Sequence, residues 1–394
     1  MHILILSSEP YRIPTVPLGG IFQYHQANAL REAGHDAGVA SGALLPLRDV
    51  LTFRGRPTQD RESKSLVVRS FKKSYLPLRF SSESFVHRSN IDQMVRAGEI
   101  YIRQKGQPDC IHAHNLQYAG IAALELSRRY RIPFVLTEHN SSFMADTYPT
   151  ALVPQFLEVL DNSAANIAVS QSLSTKMDHL FPPKQSKFTV VPNVIDMAFS
   201  AGVVRRTPSD FVFLSIGRLD KNKNHALLIK AFAAAFANTR VQLRIGGAGA
   251  EEGSLRALVT SLGVEKQVAF LGFLSRERVA EEFGAASCFV LPSLKETFGV
   301  VVIEALSFGV PVVAAPCGGP DDIIRPDNGI ITPDHTVESM TKALQEIHRN
   351  HDLFRPEKIR EDALERFAPS SFARNILEIY RHAIAGTADI LERN

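Results

Sequence analysis

The sequence is poor in cysteine: three in 394 residues, Cys110, Cys288 and Cys317, odd in number and far apart. That count and spacing exclude a disulfide framework and suit no zinc pattern. Reduced core thiols in a cytosolic compartment are the expectation. Long apolar runs are missing as well. Nowhere do about eighteen apolar residues follow one another, so no membrane-spanning helix is expected. The start, MHILILSSEP, has a short apolar run with no basic stretch before it, and does not read as a signal peptide. No Gly-Lys-Ser/Thr completes a glycine-rich loop, which argues against P-loop ATP hydrolysis, and no GxSxG elbow supports a Ser-His-Asp hydrolase.

What is present fits a soluble globular chain, with 45% apolar and 22% charged residues. Its length exceeds one ordinary core and suits two domains. The net charge of +3 is unevenly placed. Between residues 48 and 105 thirteen Lys and Arg face six Asp and Glu, a local excess of +7. Two readings stay open: a surface for anionic lipid or an anionic acceptor, and an ordinary solvated face. No aromatic platform accompanies the charge, so nucleic acid is not an expected partner.

Along the chain, short apolar runs alternate with helical patterns. In the second half FVFLSIG, VQLRIGG, VAFLGFL, SCFVLPS and VPVVAAP read as strands, separated by helices such as NHALLIKAFAAAFA and FGVVVIEALSFG. The first half repeats this with HILILSS, DCIHAH, IPFVLTEH and NIAVS as strands. The expectation is an α/β chain of two doubly wound parallel-sheet domains. The stretch from about 44 to 90, basic and weakly periodic, reads as a long excursion. FPPKQSKFTVVPNVIDMAFSAGVVRRTPSD reads as the connection, which divides the chain into 1–197 and 198–375, with a helix at about 376–394 packing back on the first domain.

Ligands of such domains collect beyond the carboxyl ends of the strands. After FVFLSIG come Arg218 and Lys223, a guanidinium and an ammonium suited to phosphate. After VQLRI come Gly246, Gly247 and Gly249, which allow close backbone approach to a ligand. After SCFVLPS comes Glu296, then Thr297, Phe298 and Gly299 at the expected helix start, whose amides lack intrahelical acceptors. Glu304 lies inside that helix, where a carboxylate can accept from two adjacent hydroxyls such as a ribose diol. VPVVAAP leads to a further glycine turn, Gly318 and Gly319. In the first half, Gly19 and Gly20 open a helix, Glu138 and His139 end a strand, and His112 and His114 share one strand face. The His pair lacks a third ligand, so a metal site is not expected.

With these residues in place, the chain resembles the retaining GT-B glycosyltransferases of family 4, the glycosyl transferases group 1. The matching segments are IGRLDKNKNH, VPNVID, ETFGVVVIE with its E-x7-E spacing, SFGVPVVAAPCGGPDDII, PLGG and TEHN. The resemblance is strong over 185–330 and weak over 44–105. It implies two Rossmann-like domains facing across a cleft, acceptor bound by the first and a nucleotide-diphosphate sugar by the second. It implies a hexosyltransferase-type enzyme that retains anomeric configuration and requires no metal or other cofactor.

By the same resemblance Arg218 and Lys223 neutralise the diphosphate, and Glu304 holds the ribose hydroxyls. Glu296, with the backbone of Thr297, Phe298 and Gly299, holds the sugar hydroxyls. His139 contacts the sugar near the reacting carbon, Gly20 the phosphate or acceptor, and Gly247 lies in the donor-binding set. Glu296, His139, Arg218 and Lys223 form the catalytic group. A saccharide or lipid-linked acceptor in bacterial-type polysaccharide or glycolipid synthesis is implied, in the cytoplasm or at the inner face of the membrane. Val194 stands where glycine is usual and Asp321 where glutamate is frequent. Two other readings remain on this scaffold: a sugar-nucleotide epimerase, and an inactive nucleotide-sugar-binding protein.

Overall fold

A computed structural model describes residues 1–9, 19–46, 58–59, 66–74, 82–182, 187–200 and 210–392. The chain divides into two compact units: Met1–Val194 with Pro369–Asn394, and Ile195–Ala368. Ile195 already belongs to the second unit because its amide donates to the Phe367 carbonyl at 2.9 Å.

The first unit holds eight strands: β1 His2–Ser7, β2 Asp36–Pro46, β3 Thr58–Gln59, β4 Leu66–Ser74, β5 Cys110–His114, β6 Phe134–Glu138, β7 Ala165–Ala168 and β8 Thr189–Val190. Their spatial order is β3-β4-β2-β1-β5-β6-β7-β8, with every pair parallel except β3 and β4. Such strands are buried on both faces, which is why HILILS and FVLTE read as near-continuous apolar runs. On one face Ile3, Ile5 and Val39 pack with Leu30 of helix Ile21–Glu32 and with Phe372, Ile376 and Tyr380 of helix Pro369–Glu392.

The stretch expected as an excursion is largely sheet and helix where it is described. β4 pairs with β2 from Val39↔Val67 to Pro46↔Ser74, and Glu83–Lys105 is a helix. The strand DAGVASGALLP escaped the reading because its residues are small, and closeness is the reason they are small. A Cβ at Gly42 would lie 2.3 Å from the Gln93 backbone, and one at Gly38 2.3 Å from the Tyr101 ring. Packing of that helix onto β2 therefore removes the bulky residues that announce a strand. Much of the basic 48–105 segment lies outside the described residues. Within them Arg88 pairs with Asp92 and Lys105 with Asp36.

The second unit has six parallel strands: β9 Val212–Ile216, β10 Gln242–Gly246, β11 Val268–Gly272, β12 Cys288–Leu291, β13 Val312–Ala314 and β14 Gly329–Ile331. Their order is β11-β10-β9-β12-β13-β14. Ser275 and Thr336 cap the helices Arg276–Ala285 and Val337–Arg349 by accepting from the third amide of each. Both sheets follow the doubly wound order, and in each the direction of winding reverses at the first strand. The switch points lie between β1 and β5 and between β9 and β12, where such folds bind ligands. Cys110, Cys288 and Cys317 are buried and free.

Candidate active site

In the second unit the loops after β9 and β12 meet. Lys223 Nζ lies 2.5 Å from Glu296 Oε1, both side chains largely buried. Lys223 is aimed there by a turn in which its amide donates to the Asp220 carboxylate at 3.1 Å, while Asn224 follows with φ 49°. Asn222 fastens the same two loops by donating to the Lys295 carbonyl at 3.0 Å. Arg218 is exposed and paired with Asp220 at 3.0 Å. The site therefore holds one sheltered cation, Lys223, and one on its rim.

The turn carrying Glu296 is joined to the turn after β13. Glu296 and Gly318 form an isolated parallel bridge, with Glu296 N donating to Cys317 O at 2.7 Å and Gly319 N to Glu296 O at 3.0 Å. A Cβ at Gly319 would stand 2.3 Å from the Phe298 Cα, so only glycine lets the two backbones come this close. Asp321 completes the turn by accepting from the amides of Cys317 at 3.2 Å and Gly318 at 3.3 Å.

The helix begins at Val300, two residues later than FGVVVIEALSFG suggested, because Gly299 sits at φ 88° as its cap. The Phe298 side chain is buried against Phe367, leaving its backbone as the part that can face a ligand. Gly247, expected in the donor-binding set, has a packing reason to be glycine. Its φ is 136°, a Cβ there would fall 1.8 Å from the Gly217 carbonyl oxygen, and its amide already donates to Gly272 O at 2.8 Å.

Glu304 is buried and does not stand alone. Arg276 Nη1 donates to its Oε1 at 2.6 Å, and Nη2 reaches Asp196 at 3.3 Å. The guanidinium also lies 4.0 Å over the Phe199 ring. Burial raises the Glu304 pKa, and Arg276 opposes that shift. The Glu296–Lys223 and Glu304–Arg276 ion pairs are thus separate. Arg276 and Asp196 were not singled out from the sequence. Asp196 lies in the VPNVID segment and Arg276 one residue after the cap Ser275, but only the fold brings them to Glu304.

In the first unit, Gly20 caps its helix at φ 72° and its amide donates to Glu9 Oε2 at 2.8 Å. His139 follows β6 and is held from several sides. Its amide donates to Glu138 Oε1 at 2.9 Å and to Asn115 Oδ1 at 3.1 Å, and its ring stacks on Phe22 at 6.0 Å. Glu138 is fully buried and also accepts from Leu116 N at 2.7 Å and Asn140 N at 2.6 Å. Burial pushes its pKa up to about 7, with the three amides acting in the other direction. The loop after β5 is strained: Asn115 has φ 76° and Tyr118 φ 66°, ψ −64°. Burial lowers the His139 pKa to about 3, so the ring is neutral at pH 7.

His112 and His114 are engaged with protein partners. His112 bonds Thr137 Oγ1 and the Tyr380 hydroxyl, each at 2.7 Å, and His114 Nδ1 meets His139 Nε2 at 2.9 Å. Among the described residues no group of three His, Cys, Asp or Glu is placed to hold a metal ion. Val194 is buried in the first unit's core, and its φ is not positive, so the glycine usual there is not needed.

Two family models match the chain, "Glycosyltransferase Family 4" over residues 20–199 and "Glycosyl transferases group 1" over 201–366. Glycogen synthase of Mycobacterium tuberculosis is 26% identical over 366 residues, covering 88% of this chain and 86% of that one. Among solved structures, sucrose-phosphate synthase from Thermosynechococcus elongatus superposes with TM-score 0.75 at 19% identity, covering 98% of this chain and 100% of that one. The Anabaena protein HepE in complex with UDP-glucose gives TM-score 0.69 at 18% identity, covering 96% and 98%. Two Rossmann-like units, the E-x7-E carboxylates on one turn and helix, and two family models that between them span both units make this chain a family 4 (group 1) glycosyltransferase of the GT-B fold.

Proposed function

We propose that the protein is a retaining glycosyltransferase that moves a sugar from a nucleoside-diphosphate sugar to a saccharide or lipid-linked acceptor. The observation that carries this is the sheltered Lys223–Glu296 pair at the β9–β12 switch point, with buried Glu304 deeper in the same unit. Lys223, with Arg218 on the rim, stabilises the diphosphate as it departs. Glu304 accepts from the ribose hydroxyls and Glu296 from the sugar. In the first unit His139 offers a neutral imidazole to a sugar hydroxyl. The anomeric C–O bond to the diphosphate breaks with its electron pair leaving on the diphosphate. The acceptor oxygen bonds the same face of that carbon, and its proton passes to the departing diphosphate oxygen. These two cations take the electrostatic part a metal plays elsewhere, so chelator leaves turnover unchanged.

HepE is seen in complex with UDP-glucose, which makes UDP-sugars the first donors to try. The test is incubation with a panel of nucleotide sugars and assay of free nucleoside diphosphate, expected from at least one donor. Neither binding nor release with any donor overturns the proposal. For a lipid-linked acceptor, the basic 48–105 segment is the proposed contact with an anionic membrane. Failure to co-sediment with phosphatidylglycerol vesicles at low salt removes that part.

A further inference from the structure

A carboxylate buried without a cation beside it gives up its charge by taking a proton. Glu304 is buried, but a guanidinium is fixed against it. The helix Arg276–Ala285 starts at Arg276, directly after its cap Ser275, and Arg276 Nη1 donates to Glu304 Oε1 at 2.6 Å. The fork is held at two further points. Its other nitrogen, Nη2, donates to Asp196 Oδ2 at 3.3 Å, and its flat face lies 4.0 Å over the Phe199 ring. Asp196 and Phe199 belong to the segment before β9, so three separate stretches of the second unit meet at this one side chain. A lysine could supply the charge but not the planar fork that makes all three contacts.

The pairing leaves the carboxylate with one oxygen in use and one open. Among the described residues nothing donates to Oε2, and the side chain keeps 9% of its surface accessible. Only an ionised carboxylate accepts with both oxygens; a protonated one turns an oxygen into a donor. Burial and the Asp196 charge both favour that proton, and Arg276 opposes it. Arg360, on the helix Pro356–Phe367 packed against the helix that carries Glu304, donates to the Ser307 carbonyl at 2.6 Å and does not replace Arg276.

We propose that Arg276 is a positioning residue for nucleotide recognition: it keeps Glu304 charged and turned so that Oε2 meets the hydroxyls of a bound nucleotide, which Arg276 itself does not touch. That these hydroxyls are a ribose diol rests on the function proposed above; the charge of Glu304 does not. Two measurements on the full chain test the two parts. Without ligand, the side-chain carboxyl 13C shift of 13C-glutamate-labelled protein reads ionisation, and the Glu304 signal is identified by its loss in Glu304→Gln. Glu304 is expected to be ionised at pH 7 in the wild type and in Arg276→Lys, which restores the charge. In Arg276→Gln it is expected to carry its proton at pH 7 and to release it as the pH is raised to 9. A signal that titrates identically in wild type and Arg276→Gln overturns the proposal. Calorimetric titration with UDP, ADP and GDP and their 2′-deoxy counterparts reads the second part. The wild type is expected to prefer the ribose form about tenfold, the worth of a charged hydrogen bond, and Arg276→Gln to reduce that preference to about twofold or less. In a Glu304→Gln background, Arg276→Gln is expected to change neither affinity further. A loss equal for ribose and deoxyribose forms, or one added to that of Glu304→Gln, means that Arg276 holds the nucleotide directly or only the fold, and overturns the proposal. If no nucleotide binds the wild type, the donor reading falls, while the carboxyl measurement still decides whether Arg276 sets the charge of Glu304.

Discussion

Glu138 gives the sharpest solution test, because the protein's chromophores report on its unit alone. The sequence has no tryptophan, and all eight tyrosines fall in Met1–Val194 or Pro369–Asn394. Urea unfolding followed by tyrosine emission therefore reads the first unit. Burial lifts the Glu138 pKa from 4.5 to about 7, so the folded unit binds this proton more tightly than the unfolded chain. A raised pKa contributes stability that is full below 4.5 and is lost as pH rises through 7. Integrating between pH 5 and pH 8, with about 1.4 kcal/mol per pKa unit, gives a loss of about 2.5 kcal/mol.

The buried histidines slope the other way. Their lowered values give stability above the ordinary histidine pKa that is lost as pH falls below it. Glu138→Gln cancels this background, since it keeps the histidines and removes only the titration. The stability of wild type minus Glu138→Gln is expected to fall by about 2.5 kcal/mol from pH 5 to pH 8. A difference that is the same at both pH values refutes the reasoning.

Three further outcomes follow from the second unit. Glu304→Ala is expected to weaken UDP binding about tenfold, the worth of a charged hydrogen bond, whereas Glu296→Ala lowers turnover and leaves UDP affinity nearly unchanged. Calorimetric titration beside a turnover assay separates them, and equal effects in both would end the division of roles. Lys223→Ala is expected to lower kcat about a hundredfold by removing the sheltered cation from the leaving diphosphate; a loss seen only in KM would contradict it. Gly247→Ala puts a Cβ against the Gly217 carbonyl at a φ of 136°, and is expected to lower the second unit's thermal midpoint by several degrees in circular dichroism. An unchanged melting curve would show that the turn relaxes freely.

What the sequence disclosed depended on how locally each feature is encoded. The strands of the second unit are buried on both faces and read as unbroken apolar runs, so their order along the chain was legible. β2 was not, because Gly38 and Gly42 yield their volume to a helix met only in three dimensions. Lys223 and Glu296 could be singled out because strand ends mark them, and Glu304 because it follows Glu296 at a fixed spacing. Arg276 was not visible because it meets Glu304 across 28 positions of sequence. His114 was weighed only as a metal ligand; its partner His139 lies on the next strand, and pairing register is not written in either strand alone.

The bridge between Glu296 and Gly318 has a consequence for how this enzyme can change. The turn that carries Glu296 and the turn after β13 share a backbone seam, with Gly319 pressed on Phe298 and Gly299 facing Pro320. Neither wall can be remodelled by itself, because an insertion or a bulkier residue in one displaces the other. Natural variants of this site are therefore expected to differ at paired positions, and donor preference to shift in whole steps when both turns change together.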